Sequence, residues 1–168
     1  RDFHAGAGTY TAALAFGGNV PPHTGATETW NGSNWTEVND LNTARTQLAG
    51  AGTQTAALGF GGTPPTTGKT ESWNGTNWTE VNDLNTARRL LGGGGTNTAA
   101  LTMGGFGPPT LANTELWNGT NWTEVNDLGT ARYQIGFAGT STSAIGVGSN
   151  GTPYALVESW NGTNWTEV

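Results

Sequence analysis

A chain of 168 residues with eight tryptophans, 28 glycines and no cysteine is too rich in large aromatics to be disordered, and it can build neither a disulfide nor a thiolate metal site. Its formal net charge is −6, and its six lysines and arginines are dispersed one or two to a repeat, which leaves no basic stripe to follow a phosphate backbone and argues against nucleic acid as a partner. Apolar runs such as residues 12–16 are too short for membrane insertion, and no signal peptide is visible.

The first unit opens on a small-residue strand near residues 2–8, passes through the apolar stretch 12–16 and a loop at 19–27, and reaches the segment WNGSNWTEVNDLNTAR at Trp30. That segment returns almost unchanged from Trp73 and Trp117 and begins again at Trp160, so these tryptophans are spaced 43, 44 and 43 residues apart. Arg1, Arg45, Arg88 and Arg132 keep the same period, at 44, 43 and 44. A repeat of this size marks a propeller or a solenoid, in which each unit buries its apolar face only against its neighbours.

In the second unit, 46–52 reads as an inner strand of small residues, followed by a turn at Thr53 and Gln54 and a second strand at 55–62 closed by Gly61 and Gly62. Residues 69–73 and 78–81 form the third and fourth strands about the turn Asn74 to Asn77, whose Asn-Gly pair predicts a type I′ turn with positive φ at both central residues. Inner strands recur near 89–95 and 133–139, where glycine and alanine suit strands crowded about a narrow axis. With no helical periodicity, the prediction is an all-β fold, a four-bladed β-propeller of four-stranded antiparallel blades, in one domain of units 1–44, 45–87, 88–131 and 132–168. Inner-to-outer units bring the chain ends together, so a closed ring is expected, since an open one would leave apolar blade faces wet. A first residue of Arg suggests a processed chain or a piece of a longer one.

An Arg opening the unit, a double glycine after the second strand, an aromatic ending the third, a Trp in the fourth and the closing Thr-Ala-Arg together resemble the kelch repeat of β-propellers, over essentially all four units. Kelch repeats usually carry Tyr-Asp where this chain has Trp73 and Asn74, and the fourth unit has Gly148 and Ser149 in place of the double glycine. The resemblance implies the propeller and leaves function open, because kelch propellers serve many unrelated purposes.

Strand alternation places Glu28, Trp30, Trp35 and Glu37 on one face of the third and fourth strands, and likewise Glu71, Trp73, Trp78 and Glu80, then Glu115, Trp117, Trp122 and Glu124, then Glu158, Trp160, Trp165 and Glu167. Two carboxylates this close need a cation, so the recurring Arg is expected to clamp each pair, in a bidentate or near-bidentate arrangement, while the tryptophans fill the blade interface. The candidate ligand site is the Trp-Asn turn: Trp30, Asn31, Asn34 and Trp35; Trp73, Asn74, Asn77 and Trp78; Trp117, Asn118, Asn121 and Trp122; Trp160, Asn161, Asn164 and Trp165. Aromatic faces stack on pyranose rings and amides fix hydroxyls, so a neutral glycan held at several weak sites is the ligand expected there.

No catalytic residue, cofactor or metal is expected. His4 and His23 do not recur, no compact oxygen-ligand loop is visible, and the double glycines lack the context of a phosphate cradle. The Asn-x-Ser/Thr sequences at the turns, with an extra one at Asn150, read as turn chemistry, because glycans three residues apart would collide. The turns on one side of the disc are nearly identical, whereas the loops 19–27, 63–70, 106–114 and 150–157 on the other vary, so a single protein partner would use the variable loops. The expectation is a non-enzymatic recognition or adhesion module, lectin-like, at a cell surface, outside the cell or on a virus particle. The alternative is a structural spacer or assembly unit of a virus tail or surface array, which fully buried tryptophans would favour.

Overall fold

A computed structural model describes residues 1–150 and 155–168. The chain is an all-β, four-bladed propeller of four-stranded antiparallel blades, with no helix among the described residues. Blade 1 comprises β1 (Ala5–Thr9), β2 (Ala12–Phe16), β3 (Thr27–Trp30) and β4 (Trp35–Val38). Blade 2 comprises β5 (Ala49–Gly52), β6 (Ala57–Phe60), β7 (Thr70–Trp73) and β8 (Trp78–Val81). Blade 3 comprises β9 (Gly92–Gly95), β10 (Ala100–Phe106), β11 (Thr110–Trp117) and β12 (Trp122–Val125), and blade 4 comprises β13 (Gly136–Gly139), β14 (Ala144–Val147), β15 (Val157–Trp160) and β16 (Trp165–Glu167).

The inner strands are shorter than the sequence predicts because Phe3, Gln47, Leu90 and Gln134, each two residues before β1, β5, β9 or β13 begins, turn to positive φ of 52–60°. These four residues link the blades along their inner edge. Gln47 N–H donates to Phe3 O at 2.9 Å, Leu90 N–H to Gln47 O at 2.8 Å and Gln134 N–H to Leu90 O at 2.8 Å.

Register fixes the two faces of a blade. In blade 1, Ala5, Ala7, Leu14, Phe16, Thr27 and Val38 lie on the side toward blade 2, while Gly6, Ala15, Glu28, Trp30, Trp35 and Glu37 lie on the opposite, leading side. Blade 2 sets its leading face on that trailing face: the Trp78 ring lies 4.8 Å from Phe16, and its indole N–H donates to Thr27 Oγ1 at 3.0 Å. Trp122 repeats the contact on Phe60 at 4.9 Å with Thr70 as acceptor, and Trp165 donates to Thr114 in the same way. Glycine is needed where the phenyl ring crosses: a Cβ on Gly50 would stand 2.7 Å from Phe16 and 2.9 Å from Gly6 O, and one on Gly93 would stand 2.8 Å from Phe60.

Three junctions are therefore sealed and the fourth is not, which corrects the expectation of a ring packed throughout. Leu14, Leu58 and Leu101 are at most 1% exposed, yet Ile145 at the same register position of blade 4 is 43% exposed. Phe16, Phe60 and Met103 are fully buried, whereas Val147 is 48% exposed. At the other end, Trp35 is 48% exposed where Trp78 and Trp122 are 5% exposed. The inner strands pack in the succession β1, β5, β9, β13, with the linker asparagines crossing each of these three junctions, and β13 does not pack in the same way on β1 among the described residues.

Replacing Gly50 by Ala should cost about 1–3 kcal/mol, because the new methyl meets a buried ring and a carbonyl in a filled junction. Gly6→Ala, whose nearest neighbour would be Leu14 O at 3.4 Å, should stay within about 0.5 kcal/mol of the parent in urea denaturation.

Candidate functional site

The Trp-Asn turn begins with a Trp-Trp pair at each blade edge, with ring centroids 5.5, 5.4, 5.4 and 5.3 Å apart in blades 1 to 4. The first indole stitches two turns together: Trp30, Trp73, Trp117 and Trp160 donate to the carbonyls of Tyr10, Gln54, Asn97 and Ser141, each at 3.0 Å. The second indole, in Trp78, Trp122 and Trp165, spans the junction as described, while Trp35 has no such acceptor among the described residues.

The asparagines are equally occupied. Asn74 Oδ1 accepts the N–H groups of Thr76 and Asn77 at 2.9 and 2.8 Å, and Asn31, Asn118 and Asn161 do the same in their own turns. The four-residue turn Asn74 to Asn77 is present as the sequence places it, held by the Asn side chain, but only its glycine takes positive φ, 92° at Gly75, so the type I′ geometry expected of the Asn-Gly pair is not formed. The last asparagine of the turn receives the preceding linker: Asn39 Nδ2 donates to Asn77 Oδ1 at 2.8 Å and to Thr76 O at 2.9 Å, and Asn82 and Asn126 repeat this on Asn121 and Asn164. Asn34, on the leading edge of blade 1, receives no such bond among the described residues.

Beneath the turns lie the ion pairs. Arg45 Nη2 meets Glu71 Oε1 at 2.9 Å with both side chains wholly buried, and Arg45 Nη1 donates to Gly61 O and Lys69 O at 2.7 and 2.6 Å. Glu71 Oε2 accepts the backbone and side-chain N–H groups of Asn42 at 2.7 and 2.8 Å. Arg88 lies 3.1 Å from Glu115, which takes Asn85 in the same way, and Arg132 lies 2.9 Å from Glu158. Burial pushes the guanidinium groups of Arg45 and Arg88 below their ordinary pKa, with Glu71 and Glu115 pulling the other way. Two expectations are corrected here. Arg45, Arg88 and Arg132 each reach only the third-strand Glu, through one nitrogen and without a bidentate fork, the other oxygen accepting from Asn42, Asn85 or the backbone N–H of Gly129; and Glu37, Glu80, Glu124 and Glu167, on the outermost strands, are exposed, with Lys69 Nζ 3.3 Å from Glu80.

The linker was the part that sequence reasoning passed over, although its recurrence was visible. Within Asn39 to Asn42, Asn39 reaches the next turn, Asp40 Oδ1 accepts Thr27 N–H, Leu41 is buried, and Asn42 reaches the next glutamate.

Surface hollows lie beside the turns and on the open faces among the described residues. One of about 220 Å³ runs between blades 3 and 4 beside Val125, Asn126, Trp160, Gly162 and Thr163. Two others, of about 370 Å³ by Arg1, Glu28 and Glu37 and about 470 Å³ by Ala138, Ile145 and Ser159, lie on the open faces of blades 1 and 4. His4 and His23 are both exposed, and burial beside Arg1 lowers the pKa of His4. Among the described residues no three His, Asp or Glu side chains gather where they could hold a metal ion. Of the variable loops, half of 150–157, residues 151–154, lies outside the described residues. No protein-family model matches the sequence, and no curated protein matches it.

Arg45→Ala should lower stability by about 3–5 kcal/mol, since it strands a buried carboxylate, whereas Arg1→Ala, whose partner Glu28 is 39% exposed, should cost less than about 1 kcal/mol. Equal losses in thermal or urea unfolding would show that the burial difference has no energetic weight.

Proposed function

We propose that this chain is a non-enzymatic structural and assembly module, built of kelch-like units, whose repeated tryptophans and asparagines join blade to blade. The observation that carries this reading is the fate of the indoles: Trp73, Trp78, Trp117, Trp122 and Trp160 are buried, and every indole N–H but that of Trp35 donates inside the protein. A sugar platform needs an open aromatic face and an unengaged amide. Here the side-chain oxygens of Asn74 and Asn77, and of their counterparts other than Asn34, already serve the turns and the linker. A virus tail or a surface array is the setting such a unit fits. The kelch-like reading is supported by the double glycines at positive φ, Gly17 with Gly18 and Gly61 with Gly62, where the chain leaves the second strand.

A second reading, a neutral-glycan binder, is favoured by one feature: the hollow beside Asn126 and Trp160 on the uniform side of the disc. Polyanions are disfavoured by the net charge of −6.

A glycan array followed by a tryptophan-fluorescence titration separates the two. The module reading expects a blank array and no quenching, while Trp122→Ala lowers stability by about 3–5 kcal/mol as a junction residue should. Saturable quenching by a neutral glycan that Asn126→Ala abolishes would transfer the function to the second reading.

A further inference from the structure

We propose that a second copy of this chain docks head to tail on the two open faces, the trailing face of blade 4 in one copy against the leading face of blade 1 in the other. This deepens the assembly reading above by naming the partner.

The three sealed junctions are the template, for each joins one trailing face to one leading face, and the two exposed faces are the two halves of that same contact. Val147 occupies the position from which Phe16 and Phe60 reach over Gly50 and Gly93 of the next blade. The matching receiver on blade 1 is Gly6, where an added Cβ would meet only Leu14 O, at 3.4 Å. Ile145 occupies the position of Leu14, which packs with Trp73 and Trp78. The hollow of about 470 Å³ beside Ile145 is therefore placed to receive the Trp30–Trp35 pair of a second copy.

The inner edge agrees. The ladder from Phe3 through Gln47 and Leu90 to Gln134 leaves Phe3 N–H and Gln134 O without partners among the described residues, and these are the two groups that a further step would join. Where unit 4 departs from the others on this face it stays apolar: Ile145 for Leu, Val147 for Phe or Met, and Val157 for the threonine that accepts the indole elsewhere. Trp35 then packs on a methyl with its N–H at the rim. A heterologous contact closes when its rotation does, and two such junctions would complete a ring of eight blades, within the usual range of propellers.

Sedimentation velocity of the 168-residue protein tests this. The expected mass is twice the 17.3 kDa of one chain, and Trp35→Glu and Val147→Lys should each weaken association at least ~tenfold. Both residues are exposed in the single chain, so the circular dichroism of either variant should match the parent. Mixing the two variants should restore a dimer, because one junction then joins an unaltered Trp35 to an unaltered Val147. A protein that is monomeric at every concentration, with Trp35 open to an external quencher, overturns the proposal, as does a dimer that neither substitution weakens or a mixture that fails to recover. A monomer with a blank glycan array would leave the module reading standing without this partner, whereas glycan binding by an intact dimer would do the reverse.

Discussion

Face-to-face contact between successive blades is the interaction on which the rest of this molecule depends. One unit is a twisted sheet of four short strands with apolar side chains on both faces, and neither face can be buried within the unit. The indole of Trp78 answers this with two properties at once, a large apolar area against Phe16 and an N–H that finds Thr27. A buried indole removes roughly 150–250 Å² from water, an upper figure of about 4–6 kcal/mol for each junction. The inner strands are small for the same reason: Gly50 and Gly93 leave the gap into which the phenyl ring of the preceding blade projects.

The buried ion pairs serve this contact in a different way. Desolvating Arg45 and Glu71 costs more than an apolar pair of similar volume would, so their worth is not simply added stability. What they fix is correspondence, since Glu71 receives Arg45 of its own unit and Asn42 of the linker arriving from the unit before. A slip of one residue in β7 would carry Glu71 to the other face and abandon both partners. The arrangement ties the register of a strand to the position of the neighbouring blade, which packing by small residues alone would specify poorly.

Most of the fold was legible because parity and period are properties of the sequence itself. Alternation alone put Glu71, Trp73, Trp78 and Glu80 on one face, and that holds in the structure. Alternation does not tell the third strand from the fourth in exposure, however, and so Glu71 and Glu80 could not be separated in advance: one lies under the linker from the preceding blade and the other on an edge washed by solvent. The turn was legible in its position and length but not in its backbone geometry. Asn-Gly favours a type I′ turn when the two residues stand alone, but Asn74 Oδ1 can instead cap Thr76 and Asn77, and the four-residue loop that results leaves Asn77 facing Asn39. The candidate site was thus legible as a cluster and illegible as to purpose, because a tryptophan that stacks on a sugar and one that closes a blade junction look alike in sequence.

Repetition in such a chain is a statement about environment. A residue returns in every unit when the same neighbours return around it, and here the returning neighbours belong to the junction: Asn39, Asp40, Leu41 and Asn42 each make a contact that Asn82, Asp83, Leu84 and Asn85 make again one blade later. In blades 2 to 4 the linker that reaches the Trp-Asn turn and the indole that crosses between blades surround these residues in the same way each time. The loops at 19–27, 63–70 and 106–114 diverge in sequence while the ends that meet the linker keep their roles: Gly25 and Gly68 each accept the N–H of the linker leucine, and Ala112 accepts that of Leu128. The loops also meet the arriving unit, Thr67 O accepting Arg88 N–H and Leu111 O accepting Arg132 N–H, and it is between such points that the units differ from one another.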